Sequence, residues 1–297
     1  MTPIPRTSGL TAACFADRYL APERPVVITD AMRGWPATTR WDWSYFDRRF
    51  GDHEVDVYGD WFEPTGSERL HTVLAGIADD QTPDPERSYV RWSSRDRPGP
   101  GRWADDVFAV LADDWAHPAF LPTTDYAVPY VSSSDRADIP TQSFPYRSLL
   151  LSAVGARTRL HVDPWASSAL LCQIVGRKRI VLHDASHNRE LIEAAARNEP
   201  APELRPAYDD ELLPGEILYI PGEWWHEATT IEASISLTWN FVHALAAQRT
   251  AEHVSRYPAD DELVVLEHFM SDAGLASPAE PPGDAAASIL AALRGIR

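Results

Sequence analysis

Two histidines and one aspartate in this sequence have the types and spacing of a metal-binding set. His161 and Asp163 are separated by one residue, and His226 follows later in the chain. Residues i and i+2 of a β-strand point to the same face, so His161 and Asp163 are expected to point together into one interior. A second histidine from a later strand would complete a set of two imidazoles and one carboxylate. Such a set leaves one face of an octahedral ion open, which suits a non-haem Fe(II) that binds both an oxoacid and O₂.

The sequence around the distal histidine is more specific than the spacing of the three residues. A histidine and an aspartate two positions apart arise easily by chance in a chain with ten histidines, so that pair alone is weak. Before His226, however, a turn at Gly215 leads into the apolar run Ile217–Ile220, and a second turn at Gly222 delivers the histidine. This string strengthens the prediction of a metal site.

The segment from about residue 146 to 243 holds the elements that must position these ligands. Apolar or alternating runs predict strands over Ser148–Val154, Ala169–Val175, Arg179–His183, Ile217–Ile220 and Ala233–Val242. Gly176-Arg177-Lys178 and Pro214-Gly215-Glu216 are interpreted as hairpin turns. So many short strands in succession favour a sandwich or barrel that encloses a pocket.

The flanking segments mix helices with short strands. Helices are predicted over Leu10–Tyr19 with Ser8 as N-cap, over Trp41–Phe50, and over Ser186–Asn198 as an insertion. Short strands are predicted over 25–29, 55–58 and 89–92, the last inside a long loop, 79–105, that has the composition of a functional lid. Helices over Ala247–Tyr257, Asp260–Ala273 and Ala285–Leu293 would cap the barrel or form a homodimer. The predicted division is therefore an N-terminal region over residues 1–125, a catalytic core over 126–243 and a helical tail over 244–297.

Composition excludes several classes of function. The 297 residues carry 44 acidic and 27 basic side chains, a net charge of −17, which argues against binding to nucleic acid, tRNA included. No apolar run approaches the roughly 20 residues of a membrane helix, and residues 1–9 do not resemble a signal peptide. Two cysteines, Cys14 and Cys172, suit a reducing compartment, so the expected location is the cytoplasm.

Four motifs carry a resemblance to a known family. They are His161-Val162-Asp163, Gln173–Ile180, Leu218–His226 and Ser234–Phe241, preceded by Pro25–Ile28, Gly34–Ala37 and Trp41. Together they resemble the JmjC and cupin-like Fe(II)- and 2-oxoglutarate-dependent oxygenases, in particular hydroxylases of the factor-inhibiting-HIF type. The resemblance implies a mainly β fold with flanking helices, built on a double-stranded β-helix (jelly-roll) core. It also implies that His161, Asp163 and His226 bind Fe(II).

The resemblance further assigns a cosubstrate site. It implies that Lys178 binds the distal carboxylate of 2-oxoglutarate, that Thr158 assists, and that Tyr89 and Asn240 also contact the cosubstrate. Taken alone, Gly176–Arg179 is typical of a solvated basic turn. A dicarboxylate nevertheless needs a buried cation, which favours the assignment of Lys178.

One departure from the family pattern affects this cosubstrate site. Relatives often carry an asparagine six positions after the first ligand histidine, but the stretch 164–169 is two residues longer here and places Ala169 at that point. The missing contact is either lost or supplied by Ser167 or Ser168. Trp165, just after Asp163, is interpreted either as a residue on the substrate side or as simple packing.

The resemblance implies oxidative decarboxylation of 2-oxoglutarate to succinate and CO₂, coupled to hydroxylation of a substrate C–H bond. The leading hypothesis is hydroxylation of an amino-acid side chain in a protein or peptide. The alternatives are hydroxylation of a small natural product or free amino acid, a metal-binding cupin without oxygen chemistry, and a silent structural module, which the complete triad disfavours. His183 and His187 are interpreted as surface residues. Five acidic residues form either an acidic entrance for a cationic substrate or a solvated surface: Asp56, Asp60, Glu63, Asp105 and Asp106.

Overall fold

The structure is a computed structural model that describes residues 2–79, 89–95, 101–128, 147–197, 199, 202–256 and 266. Within these residues the strands are β1 Arg6–Thr7, β2 Val26–Ile28, β3 Glu54–Tyr58, β4 Pro64–Arg69, β5 Tyr89–Ser93, β6 Tyr126–Val128, β7 Arg147–Ser152, β8 Arg157–His161, β9 Ser168–Val175, β10 Lys178–His183, β11 Tyr208–Leu212, β12 Ile217–Ile220, β13 Trp225–Thr230 and β14 Ser234–His243. The α-helices are α1 Ala12–Phe15, α2 Ala37–Arg40, α3 Trp43–Phe50, α4 Leu70–Asp79, α5 Asp105–Val110, α6 Asn188–Ala196 and α7 Ala247–Arg256. A π-helical turn covers Ala16–Leu20, and 3₁₀ turns cover Pro164–Ala166, Ala185–His187 and Ala244–Ala246.

The strands form a large and a small sheet that face each other. The large sheet has the order β1-β2-β12-β9-β14-β7-β5-β3-β4, with β6 beside β14, and the small sheet has the order β11-β10-β13-β8. From β7 to β14 the chain passes back and forth between the sheets, with β8, β10, β11 and β13 in the small sheet and the others in the large one. This alternation is the topology of a jelly roll, and the predicted mainly β, cupin-like fold is confirmed.

The two predicted hairpins are wrong for the same reason. β9 pairs with β12 and β14, whereas β10, directly after Gly176, pairs with β11 and β13. The turn at Pro214–Glu216 likewise leads from β11 in the small sheet to β12 in the large one. A glycine-containing turn predicts a reversal of direction but not the sheet that receives the next strand. Gly176 has φ +69°, and a Cβ there would lie 2.2 Å from the Ala233 carbonyl oxygen, so the crossing needs glycine.

Two apolar cores hold the sheets in place. The larger core fills the space between the outer face of the large sheet and the N-terminal helices, and includes Phe15, Phe46, Trp92 and Trp239. The smaller core lies between the two sheets and consists of Ile4, Val27, Ala169, Leu171, Ile180, Leu182, Leu212, Leu218 and Ile220. The smaller core fills only part of the space between the two sheets. The remaining part of this space holds polar side chains.

Several predicted boundaries need correction. The first helix begins after Thr11 rather than Ser8, because the Thr11 hydroxyl accepts from the backbone N–H of Cys14 (3.2 Å). Asp42 caps α3 in the same manner. The predicted insertion helix is a 3₁₀ turn followed by α6. Six strands (β1, β4, β6, β8, β11 and β13) and three α-helices (α2, α4 and α5) have no predicted range.

Other predicted elements cannot be compared in full. Most of the 79–105 loop, the helix over 285–293 and all of the helix over 260–273 except Leu266 lie outside the described residues. None of the helices in the described ranges is both long and apolar enough to cross a bilayer.

Candidate metal and cosubstrate site

Strand pairing in the small sheet brings the three candidate ligands together. His161 ends β8 and lies directly opposite His226 on β13. Asp163 follows two residues later, in extended backbone at the entry to the 3₁₀ turn. Its carboxylate oxygens lie 4.0 Å from Nε2 of His161 and 3.9 Å from Nε2 of His226. All three ligand atoms fall within 4.8 Å of one another.

Backbone carbonyls orient both imidazoles toward this point. Nδ1 of His161 lies 2.8 Å from the Arg159 carbonyl oxygen, and Nδ1 of His226 lies 3.0 Å from that of Trp224. A carbonyl oxygen only accepts, so each Nδ1 carries a proton, and Nε2 is the ring nitrogen that lies on the Asp163 side. Hydrogen bonds of this kind fix the tautomer and the ring orientation of metal-binding histidines.

The electrostatic surroundings favour a metal ion over protons. Burial, followed by the neighbouring His226, lowers the pKa of His161 well below its usual value. A neutral imidazole is the form that binds a metal. Metal–ligand bonds are about 2.0–2.2 Å long, so one ion could contact all three ligand atoms after small side-chain adjustments. The donor set of two imidazole nitrogens and one carboxylate therefore fits a divalent transition metal.

A close backbone approach connects the two turns that carry the ligands. Trp165 and Ala166, just after Asp163, both have positive φ (53° and 54°), which is strained for residues with a Cβ. A Cβ on Gly222, just before β13, would lie 2.1 Å from the Ala166 carbonyl oxygen. Only glycine lets the two turns meet in this way. Trp165 is 1% exposed, which favours packing, and its role on the substrate side remains a proposal.

The predicted cosubstrate residues Lys178, Thr158 and Tyr89 converge on one cavity between the sheets. The cavity is lined by Tyr89, Leu150, Ser152, Ala156, Arg157, Thr158, Lys178, Ala228 and Thr230. Lys178 is 5% exposed, and its Nζ donates to the hydroxyls of Ser152 and Thr230, each at 3.2 Å. Burial lowers the pKa of Lys178 to about 8. Among the described residues no carboxylate forms an ion pair with it, and a buried cation of this kind favours binding of an anion.

Asn240 lies apart from this cavity. Its Nδ2 donates to the hydroxyl of Ser167 (3.1 Å), and both side chains are buried. Ala169 is opposite Asn240 in the β9–β14 register. The hydroxyl of Ser168 lies 3.3 Å from that of Tyr219, a residue of the larger core. Of the two serines, Ser167 is therefore the one placed beside a predicted cosubstrate residue.

An aromatic segment that sequence reasoning missed lies against His161 of the candidate metal site. Phe62 packs edge-on against His161, with ring centroids 4.6 Å apart. Asp60 holds this segment down, because its carboxylate pairs with Arg159 and its carbonyl oxygen accepts from the Arg159 backbone N–H (3.0 Å). Trp61 beside it is 45% exposed. Phe62 occurs outside any predicted strand, so no alternation pattern singled it out.

Four of the five acidic residues considered for an entrance are engaged in contacts within the protein. Asp60 pairs with Arg159, Asp56 with Arg102 and Asp106 with His53. Asp105 accepts from the backbone N–H of Arg95. These contacts favour the interpretation as surface ion pairs and local capping.

The interpretation of His183 as a surface residue is wrong. It ends β10 and is 7% exposed, and alternation along the strand directs it to the face opposite Leu182, away from the core between the sheets. Burial, followed by His187, lowers its pKa.

Comparison with known proteins agrees with this geometry. The family model described as a cupin-like domain matches residues 132–246. Lysine-specific demethylase JMJ21 of Arabidopsis thaliana is 24% identical over 262 residues, which cover 81% of this chain and 25% of that protein. Lysine-specific demethylase 8 of Xenopus tropicalis is 25% identical (80% of this chain, 52% of that protein), and the 2-oxoglutarate and iron-dependent oxygenase JMJD4 of Gallus gallus is 24% identical (81% and 60%).

The chain carries a cupin-like domain over residues 132–246. It spans only a fraction of the length of the relatives it matches, about a quarter of JMJ21 and half of demethylase 8. The matched residues 132–246 contain β7–β14 and all three residues of the candidate metal site. The strands β2, β3 and β5, which precede the match, extend the large sheet of the same jelly roll.

Proposed function

We propose that this cupin-like protein is an Fe(II)- and 2-oxoglutarate-dependent oxygenase that hydroxylates an amino-acid side chain of a protein or peptide. The observation that carries the proposal is the convergence of two imidazoles and one carboxylate in the same interior as a buried lysine. The metal donors and the lysine cation are what a chelating oxoacid with a distal carboxylate requires. Relatives with 2-oxoglutarate and iron in their names support the choice of cofactors.

Each side chain has a distinct role in this proposal. His161, Asp163 and His226 hold the metal, and the bound metal and cosubstrate supply oxidising power from O₂. Lys178 neutralises the distal carboxylate of 2-oxoglutarate, while Thr158 and Tyr89 line the same cavity. Phe62 limits access of water to the His161 side of the site. Asn240 and Ser167 form a buried polar pair outside the residues that line this cavity and complete the proposed set.

A protein or peptide substrate is supported by the names of the relatives, which include lysine- and arginine-specific demethylases and a bifunctional arginine demethylase and lysyl-hydroxylase of Caenorhabditis elegans. These names also favour a second candidate, removal of an N-methyl group. Both reactions begin with hydroxylation of a C–H bond. In side-chain hydroxylation the hydroxylated carbon stays in the product, whereas in demethylation the hydroxylated N-methyl carbon leaves as formaldehyde. Hydroxylation of a small natural product or free amino acid remains the alternative within the same chemistry.

The organisation of the whole chain also remains a proposal. We keep the division into 1–125, 126–243 and 244–297, with the qualification that strands of the N-terminal region belong to the large sheet. Dimerisation through the C-terminal helices is proposed on their helical pattern alone.

The test of the proposed function is turnover with Fe(II), 2-oxoglutarate and O₂ in the presence of a peptide library. We expect succinate in the absence of any peptide, and more succinate with a peptide that is a substrate. Mass spectrometry then separates the reactions, since hydroxylation adds one oxygen atom and demethylation releases formaldehyde. If the Fe(II)-loaded protein forms no succinate under any condition but binds Zn(II) or Ni(II) tightly, a cupin without oxygen chemistry replaces the proposal.

A further inference from the structure

The helix α7 begins directly after the residues that the family model matches, yet it packs against the site that those residues contain. It contacts the 3₁₀ turn Pro164–Ala166 and also β14. The 3₁₀ turn follows Asp163 directly. α7 therefore supports the turn that presents one of the three candidate metal ligands.

Charged contacts connect α7 to the turn that presents a second candidate ligand. Glu223 lies in the turn between β12 and β13, three residues before His226. Nδ1 of His253 lies 3.1 Å from Oε1 of Glu223, and Nη1 of Arg249 lies 3.8 Å from Oε2 of the same side chain. Both His253 and Arg249 belong to α7. The helix thus contacts the turns on both sides of the site.

Arg249 is shared with a second carboxylate, that of Glu23. The two side chains form an ion pair, and Glu23, which lies between the π-helical turn and β2, is buried. Burial raises the pKa of Glu23 to about 7; Arg249 opposes this rise, and Glu223 adds to it. The carboxylates of Glu23 and Glu223 therefore repel each other, and the guanidinium of Arg249 offsets this repulsion.

The backbone at both carboxylates is strained. Glu23 has φ 51° and Glu223 has φ 63°, in the left-handed region that favours glycine. Such residues keep this conformation only where surrounding contacts hold it. Glu223 follows Gly222, which meets the carbonyl oxygen of Ala166 in the 3₁₀ turn. A shift of the Glu223 turn would therefore reach the turn after Asp163 as well as His226.

We propose that Arg249 and Glu223 are positioning residues of the metal site. The ion pairs of α7 hold the turn over residues 221–224 so that His226 stays opposite His161 and within reach of the ion that Asp163 also binds. This inference rests on the proposed function, because it concerns the metal of that function. It extends the site beyond the cupin-like domain to a helix of the C-terminal region.

The test uses Co(II) as the probe, because its visible absorption reports the geometry of its ligands without any turnover. Co(II) is titrated into the metal-free protein without oxygen, well below the Tm of each variant. Arg249→Gln removes the shared cation and should weaken Co(II) binding roughly tenfold, with a changed visible band of the bound ion. Arg249→Lys restores the charge and should bring both the affinity and the band back toward those of the unaltered protein.

Arg197→Gln is the matched control, because Arg197 is an exposed arginine that pairs with Glu199 and neither residue belongs to the site. It should leave the affinity and the band unchanged. Glu223→Gln is the second variant, which keeps the size of the side chain but removes its charge. It should weaken Co(II) binding in the same direction, and it decides the matter if Arg249→Gln does not fold by circular dichroism.

A purely structural role for α7 predicts a different result. In that case the folded variants would have a lower Tm but the Co(II) affinity and visible band of the unaltered protein, and this result overturns the proposal. Failure of the proposed function is seen separately, as an unaltered protein that binds Co(II) yet forms no succinate when loaded with Fe(II). An unaltered protein that binds no Co(II) overturns both.

Discussion

At the scale of single residues, the site depends on side chains whose protonation is set by burial. His161 is kept neutral by burial and by His226, and its Nδ1 proton is fixed by a carbonyl oxygen. Lys178 is buried with only hydroxyl acceptors among the described residues, and its pKa falls to about 8. His161 is therefore suited to binding a metal, and Lys178 to binding an anion.

The first prediction at this scale concerns the metal ligands. Asp163→Ala removes the only carboxylate of the set and should abolish Fe(II) binding, measured by anaerobic titration and metal analysis, without loss of the fold by circular dichroism. His71→Ala is the control, because His71 is an exposed histidine that pairs with Asp47, and neither residue belongs to the candidate site. Equal metal content in Asp163→Ala and the unaltered protein would contradict the ligand assignment.

The second prediction concerns pH. Because burial lowers the pKa of Lys178 to about 8, the side chain is charged below that pH and neutral above it. Attraction of the cosubstrate carboxylate is thus present below pH 8 and lost above it. The kcat/KM for 2-oxoglutarate should fall by up to about tenfold per pH unit above 8, since this ratio reports ionisations of the free enzyme. Lys178→Arg should remove this decline, and a flat profile in the unaltered protein would place the anchor elsewhere.

At the scale of elements, the geometry of the site depends on how two turns meet. The 3₁₀ turn after Asp163 contains two residues with positive φ, and the turn before β13 approaches it so closely that Gly222 has no room for a Cβ. The strain in one turn is maintained by its contact with the other. The positions of Asp163 and His226 are coupled through this contact.

The prediction at this scale is that Gly222→Ala separates the two turns. A Cβ 2.1 Å from the Ala166 carbonyl oxygen forces the backbone to move, which should weaken metal binding by roughly tenfold and lower Tm. Gly76→Ala is the same change on α4, with nothing within 4 Å of the new Cβ. It should leave metal affinity unchanged and raise stability by up to about 1 kcal/mol. Equal metal affinity in both variants would show that the contact does not position the ligands.

Some of this arrangement is predictable from sequence, and some is not. The alternation in His161-Val162-Asp163 and the glycines before His226 predicted the three residues that the structure brings together, because both are local signals. The hairpins predicted at Gly176 and Gly215 were wrong, because β10 and β12 each pair with strands that are distant in sequence rather than with the strand just before them. β13 was missed for the same reason, since its residues Trp225–Thr230 have no clear alternation and take their strand conformation from β8 and β10.

At the scale of the whole molecule, the N-terminal segment joins the two sheets. Arg6 of β1 contacts Asp210 of β11, in the small sheet, and Glu216 just before β12, in the large one, with Nε 3.0 Å from Oε1 of Glu216. It also donates to the carbonyl oxygen of Glu211 (2.6 Å). The sheets must stay at a fixed separation to enclose the site, and Arg6 bridges them at one end of the jelly roll.

The prediction at this scale is that Arg6→Ala destabilises the protein. Loss of several charge-assisted hydrogen bonds from a side chain that is 30% exposed should cost about 1–2 kcal/mol of unfolding free energy, measured by urea denaturation. Arg69→Ala is the control, because its ion pair with Asp52 is exposed, and it should leave stability unchanged. If the two variants are equally stable, the N-terminal segment does not fasten the sheets.

The most direct measurement is the visible spectrum of the Fe(II)-loaded protein as 2-oxoglutarate is added without oxygen. A chelated oxoacid gives a weak charge-transfer band, and we predict this band in the unaltered protein, its absence in Asp163→Ala, and its appearance only at much higher 2-oxoglutarate concentration in Lys178→Ala. Admission of air should then yield succinate. An unchanged spectrum in the unaltered protein, despite bound Fe(II), would contradict the proposal that the three ligands and the buried lysine form one oxygenase site.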